Sequence, residues 1–271
     1  MEIFKYAFMQ RAFLTGILLS LIIPSIGLII VLKRLSMIGD ALSHTSLAGV
    51  AGGLLVGINP VLGATLACIA AAFGIEAIRK KIPRYAEMSI AIIMSAGVGL
   101  AGVLSGFVKS ASSFNSFLFG SIVAISNSEL YIVAAVAILI LSSFLFFYRE
   151  LFYISLDERS ARLAGVPTSI INPLFTILTA ITVSIASRTV GALIVSSMMV
   201  VPVACAMQIA KSYKCTLILS IVFSESFTIV GLFLSFYFGL KPGGTIVLVG
   251  VVILVSLFAI KAIRKKMRSK A

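Results

Sequence analysis

The sequence predicts an all-α polytopic membrane protein with about eight to nine transmembrane helices. Hydrophobic residues make up 60% of the 271 residues and charged residues only 11%, and the mean hydropathy is +1.17. Soluble domains carry about 25% charged residues. We therefore expect one transmembrane domain over residues 1–271, with a cytoplasmic loop at about 152–168.

Apolar runs of about 18 residues or more predict the individual spans. Several runs are separated by basic loops, such as Lys33 and Arg34 between the first two. One of the runs is a candidate re-entrant segment. The expected spans lie near residues 12–32, 36–57, 60–78, 88–108, 130–148, 170–187, 190–210, 216–238 and 245–262.

The net charge of +13 is explained by membrane topology. Most basic residues lie in short loops between apolar runs, where they hold a loop on the cytoplasmic side. This distribution places the C-terminus inside and, with nine spans, the N-terminus outside. It argues against nucleic acid as a partner and for the lipid bilayer.

The only histidine, His44, follows Asp40 by four residues in the run 37–44, Met-Ile-Gly-Asp-Ala-Leu-Ser-His. On a helix this spacing places both side chains one turn apart on one face. An Asp at the middle of a membrane costs about 2.5–3.5 kcal/mol, so such groups generally serve a function. The pair suits a divalent metal, and the alternative is a histidine bonded to Asp40 for packing alone.

Other residues carry weaker signals. Glu225 is a second carboxylate within an apolar run, and is either a pathway residue or a partner for a polar group between helices. Cys68, Cys205 and Cys215 form no CxxC pair and are expected to pack. The spacings Gly53-x-x-x-Gly57 and Gly102-x-x-x-Gly106 permit close helix contact. Counting eleven residues from Lys33 at 1.5 Å each places His44 roughly 16 Å deep, near the membrane midplane.

The chain contains no Gly-rich phosphate loop of the GxxxxGK[ST] type, so if ATP drives transport, the nucleotide must bind another polypeptide. A docking surface for that partner is predicted at residues 156–167. Asp157 and Glu158 would open a short helix, Arg162 would lie near its end, and Gly165 would stop it. The alternative is an ordinary solvated loop.

These blocks resemble the permease subunits of the ABC importers for zinc, manganese or ferrous iron. The resemblance rests on the block 37–44 and on the loop 156–165. It extends over nearly the whole chain through the blocks 117–122, 190–195, 202–204, 231–237 and 242–248. Of these, Gly-Asp-Ala-Leu-Ser-His at 39–44 is the specific one, since the glycine-rich apolar blocks are weak singly.

The resemblance implies a fold similar to the vitamin-B12-type (type II) importer permeases, in a bacterial or archaeal plasma membrane. It also implies a second copy of the chain, two cytoplasmic ATP-binding subunits and an extracytoplasmic metal-binding protein. Asp40 and His44 would be cation ligands. The coupling helix would include Asp157, Glu158, Ala161, Arg162 and Gly165.

The resemblance implies that the transported ion is a divalent cation, and no cofactor is expected to be covalently bound. Residues 8–14 and 46–51 are more similar to the family's zinc branch than to its manganese branch, so zinc is expected first. Manganese, ferrous iron and a metal chelate or vitamin are the alternatives. Ser43 and Glu225 are candidate secondary pathway residues, although Glu225 does not belong to the family's signature.

An intramembrane enzyme is the competing class. A single histidine excludes an His-Glu-x-x-His zinc protease, and no Gly-x-Ser-x-Gly elbow is present. These absences leave a Ser-Lys or carboxylate dyad open as the alternative. We expect a transport subunit, not an enzyme, with ATP hydrolysis on a separate partner.

Overall fold

The structure, a computed structural model, describes residues 2–82, 85–108, 120, 122 and 125–268. A short 3₁₀ turn, Glu2–Lys5, precedes the first long helix. The α-helices of the described part are α1 (Ala7–Leu32), α2 (Ile38–Val56), α3 (Pro60–Lys81), α4 (Ala86–Ser105), α5 (Asn127–Phe146), α6 (Tyr148–Leu156), α7 (Glu158–Leu163), α8 (Thr168–Ala186), α9 (Ala192–Met207), α10 (Tyr213–Phe238) and α11 (Pro242–Arg268).

Each of the nine predicted spans coincides with one of these helices, so the all-α membrane fold is confirmed. Seven helices of the described chain are long and apolar enough to cross a membrane. The two outside this set are α2, which carries the polar residues of the Asp40–His44 run, and α9, which has 16 residues. Both are packed within the bundle. The structure adds two short helices, α6 and α7, in the predicted polar loop.

Polar caps define several helix ends. The Asn59 side chain accepts a hydrogen bond from the Val61 amide at the start of α3. At the start of α5, Ser126 and Glu129 form a reciprocal capping box. The Ser212 hydroxyl accepts from the Cys215 amide at the start of α10. These caps satisfy amides that have no partner inside a helix.

The core lies around α1. In its most apolar stretch 72% of residues are buried, against 11% in α11. Helix α1 packs against α5, α9 and α10, while α2 packs against α3, α4 and α9. The helix that carries Asp40 and His44 is therefore interior, and α11 is peripheral.

The continuous helical length expected between Lys33 and His44 was wrong. Helix α1 ends at Leu32, residues 33–37 form a turn, and α2 begins only at Ile38. Six helical steps therefore separate Ile38 from His44, about 9 Å along the axis and not 16 Å. The reason is that residues 33–37 lie between the two helices and contribute no helical rise.

One further expectation needs correction. Cys68 and Cys205 are buried, as expected for packing residues, but Cys215 is exposed. A Cβ atom built on Gly57 or Gly102 would meet open space, so neither GxxxG spacing has close contacts at both of its glycines. Of the predicted block 117–122, only Gly120 and Ile122 lie within the described residues.

Candidate metal pathway

Helix α2 positions the Asp40–His44 pair. It begins after Met37, which makes no side-chain cap, and it ends at Gly57, whose φ of +77° suits a residue without a Cβ. Asp40 lies in the first turn, where the partial positive charge of the helix N-terminus favours a carboxylate. His44 follows one turn later on the same face.

Both side chains of the pair are half-buried. Among the described residues neither one has a hydrogen-bond or ion-pair partner. The alternative of an imidazole bonded to Asp40 is therefore not found. The described residues also contain no group of three or more His, Cys, Asp or Glu side chains suited to a metal ion. The Asp40 carboxylate and the His44 imidazole are therefore both available to bind a metal ion.

Small residues allow α2 to pack closely against its neighbours. A Cβ atom on Gly49 would lie 2.4 Å from the Gly63 carbonyl oxygen of α3, and one on Gly97 of α4 would lie 2.6 Å from the Thr45 hydroxyl. On the side of α9, a Cβ on Gly39 would lie 3.1 Å from the Met199 sulfur. Backbones therefore approach closely on three sides of the helix, as small residues permit in membrane bundles.

The residue before His44 contacts a π-helical turn, Ser187–Gly191, that ends α8. The Ser187 hydroxyl lies 3.5 Å from the Ser43 hydroxyl, and both side chains are buried. A hydrogen bond of 2.8 Å between Thr65 and Ser184 joins α3 to α8 nearby. Wide turns of this kind occur frequently at functional sites, and sequence reasoning had not identified Ser187.

Three contacts hold the π-helical turn. Arg188 forms an ion pair of 3.0 Å with Glu129 at the start of α5. A Cβ on Gly120, whose φ is +66°, would meet the Val190 backbone, and one on Gly243 would lie 2.6 Å from the Val190 carbonyl oxygen. The turn beside Ser43 is therefore fixed by α5, by Gly120 and by the start of α11.

Glu225 lies on α10, and its carboxyl group is near Ser20 of α1. The neighbouring hydroxyls of Thr15, Ser224 and Thr228 are buried without a hydrogen-bond partner. Glu225 thus lies in a polar part of the interface between α1 and α10, whereas Asp40 and His44 lie on α2.

The loop that follows α6 forms the short helix α7. Asp157 is its N-cap and accepts hydrogen bonds from the amides of Arg159 and Ser160. The Ser160 hydroxyl and these amides hold the pKa of the exposed Asp157 carboxyl below its ordinary value. Beyond the helix, Gly165 has a φ of +84°, a conformation favourable only for glycine.

The faces of α7 differ. Ala161 is 2% exposed and packs in a cluster that includes Leu151, Ile154 and Ile171. The Glu158 carboxylate faces the bundle and lies near three basic side chains. In contrast, Leu163 is 85% exposed, and the Arg162 side chain is 70% exposed. Leu163 was missed in the sequence, where its only signal is an apolar residue in a polar loop.

Membrane-length helices around a half-buried ionisable pair are typical of a multi-pass membrane transport protein. The chain belongs to the ABC 3 transport family, whose profile matches residues 5–261. A probable metal transport system membrane protein of Treponema pallidum is 34% identical over 258 residues, or 94% of this chain and 96% of the relative. The manganese transport system membrane protein MntC of Listeria monocytogenes is 33% identical, with 92% and 89% covered.

The high-affinity zinc uptake system membrane protein ZnuB of Haemophilus influenzae is 28% identical, and the alignment covers 88% of this chain and 91% of the relative. Among solved structures, PsaBC of Streptococcus pneumoniae in complex with Fab superimposes with a TM-score of 0.84. That match has 29% identity and covers 94% of this chain and 92% of the other. This chain is therefore a membrane permease of the metal ABC importer family.

Proposed function

We propose that this chain is the permease subunit of an ATP-driven importer that moves a divalent metal cation into the cell. Asp40 and His44 are the proposed ligands on the pathway. The observation that carries this proposal is their placement one turn apart on the interior helix α2, with no described partner that competes for either side chain. A carboxylate and an imidazole together suit first-row divalent metals.

A second copy of the chain is part of the proposal. Two Asp40 and two His44 side chains meeting at a two-fold axis would supply four ligands, the number a tetrahedral ion such as zinc accepts. Two carboxylates would also balance the charge of a divalent ion. Separation of the two copies would then break the ligand set and release the ion, with Ser43 lining the path beside it.

Two cytoplasmic ATP-binding subunits are the proposed partners of α7. The exposed side chains of Arg162 and Leu163 would contact them, while Asp157 and Gly165 define where the helix begins and ends. Ala161 and Glu158 face the bundle and would transmit the motion. On the opposite side of the membrane an extracytoplasmic binding protein would deliver the ion.

Zinc is the cargo favoured by the sequence, and a nitrogen ligand from each copy supports it. Manganese is the second candidate, because the relative named for manganese is 33% identical and the one named for zinc 28%. Ferrous iron and a metal chelate are further alternatives. Glu225, beside Ser20, is proposed as a secondary pathway residue only.

The test is uptake of radioactive zinc, with and without manganese as competitor. Cells that lack their own high-affinity importer would express this chain with its ATPase and binding protein. Asp40→Ala and His44→Ala are expected to lower uptake at least about tenfold. This is the lower end of the loss of activity that follows when a group supporting a metal ligand is removed. Ser46→Ala is the matched control, since the Ser46 hydroxyl bonds only within α2.

Each result decides between candidates. Zinc uptake that manganese does not inhibit supports a zinc permease, whereas inhibition at equal concentration and uptake of radioactive manganese assign the second candidate. Uptake inhibited by a chelate and not by the free ion assigns a chelate permease. Uptake of every cation unchanged in both variants, with normal expression, would overturn the proposed ligands.

A further inference from the structure

A cluster of charged residues joins α7 to the ends of α1 and α3. The Glu158 carboxylate lies 3.8 Å from the Lys33 ammonium and 3.7 Å from the Arg79 guanidinium. Arg79 is also held at 2.8 Å by Glu76 of its own helix. Lys33 directly follows α1, and that helix contains no acidic residue. Among the described residues, Lys33 therefore forms its ion pair with Glu158.

Lys33 is nearly enclosed by this cluster. Its side chain is only 9% exposed, and its ammonium group donates a hydrogen bond of 3.0 Å to the Asn172 side chain of α8. Burial, and then the Arg79 charge, hold the pKa of Lys33 below its ordinary value, while Glu158 opposes this. A buried cation is tolerated only where it is paired and hydrogen-bonded. The position of Lys33 is therefore set by α7 and α8.

Lys33 also begins the turn that leads to α2. Its amide bonds to the Ile29 carbonyl, and the Leu35 amide bonds to the Ile30 carbonyl, so the turn is wound tightly onto the end of α1. Within it Arg34 has a φ of +57°, the one positive value for a non-glycine among the described residues. Such a conformation persists where the surroundings fix it.

The turn is short, and Asp40 lies in the first turn of the next helix. A displacement of Lys33 therefore cannot be absorbed by slack between α1 and α2. It must move the N-terminus of α2 together with the carboxylate that the proposed function assigns to the ion.

We propose that Lys33 is a positioning residue that transmits movement of α7 through the α1–α2 turn to Asp40. When the ATP-binding subunits move α7, the ion pair with Glu158 moves Lys33 with it. The hydrogen bond from Lys33 to Asn172 keeps the ammonium group against α8. This inference rests on the proposed function. It adds a direct route from α7 to the ligand helix, separate from motion of the bundle as a whole.

The test measures ATP hydrolysis and metal uptake in the same proteoliposomes, which contain the full complex with its ATP-binding subunits and binding protein. For Lys33→Met we expect hydrolysis to continue and metal transported per ATP to fall about tenfold, within the range of coupling between sites. Lys33→Arg keeps the charge and should retain coupling. Lys81→Met is the matched control, since Lys81 is exposed at the end of the same bundle.

Glu158→Gln provides a second variant that is nearly isosteric and partly exposed, should Lys33→Met not assemble. The same loss of transport per ATP is expected. An unchanged ratio in both variants would overturn the role of Lys33, and so would a parallel loss of hydrolysis and uptake, which indicates a structural role only. Absence of uptake by the unmodified complex would instead count against the proposed function.

Discussion

The Ser187 hydroxyl lies 3.5 Å from the Ser43 hydroxyl, and this contact joins the π-helical turn after α8 to the residue that precedes His44. The turn is also tied to α5 through Arg188 and Glu129. The position of the proposed ligand helix is therefore connected to α5 through one short segment.

Enlarging Ser187 should disturb this contact. Ser187→Leu inserts apolar atoms at a fully buried position, for which overpacking costs about 1–3 kcal/mol, and we expect lower metal uptake. Ser187→Ala, which removes only the hydroxyl, should transport nearly as the unmodified chain does. Uptake and thermal unfolding of both variants check this. Equal uptake by the two variants would show that close packing of α2 against the π-helical turn has no bearing on transport.

Gly49→Ala should destabilise the α2–α3 contact, because the added Cβ would lie 2.4 Å from the Gly63 carbonyl oxygen. We expect a loss of about 1–3 kcal/mol. The control is Gly52→Ala on the same helix, where the nearest atom would be 3.9 Å away and helix propensity should add about 0.5–1 kcal/mol. Thermal unfolding in lipid nanodiscs compares them. A Gly49 variant as stable as the Gly52 variant would contradict the close approach.

Substitutions of Glu129 should separate its two roles. Glu129→Gln keeps a side chain able to complete the capping box with Ser126 but removes the ion pair with Arg188, at a cost of about 1 kcal/mol or less. Glu129→Ala loses both, and loss of the hydrogen bond from the Ser126 amide to the Glu129 carboxylate should add about 0.5–1.5 kcal/mol. Hydrogen exchange at the first amides of α5 measures the difference. Equal exchange in the two variants would argue against the cap.

The N-cap of α7 should depend on pH in the acid range. Since the pKa of folded Asp157 lies below its ordinary value, its stabilising contribution is complete above the unfolded pKa of about 3.9 and is lost as the pH falls through the folded pKa. We expect faster exchange of the α7 amides below about pH 4. Asp157→Asn keeps an uncharged cap and should remove most of this dependence. A dependence of the same size in that variant would assign it to another group.

Much of the fold follows directly from the apolar runs, since a membrane-length helix needs only a long stretch without charge. The break between α6 and α7 is also readable, because Asp157 favours a cap. The turn at residues 33–37 was not predicted, so the helical length between Lys33 and His44 was overestimated. Neither Lys33 nor Arg34 is a residue type that indicates a turn. Arg34 in particular is not a residue type expected at positive φ.

The candidate site was predictable only where its residues are neighbours in sequence. Asp40 and His44 share one helix, so their spacing identified them. Ser187 and Ser43 are 144 residues apart in the sequence, and Lys33 and Asn172 are 139 apart, so no local pattern records these pairings. The glycines show the same limit: Gly49 and Gly63 make the close contact although they are not spaced as a GxxxG pair.

The close approach of the Gly49 and Gly63 backbones limits how α2 can move during transport. No side chain fits between the two helices at this point, so α2 cannot approach α3 any further. Any movement that changes the space around Asp40 and His44 must therefore carry α2 and α3 together or draw them apart.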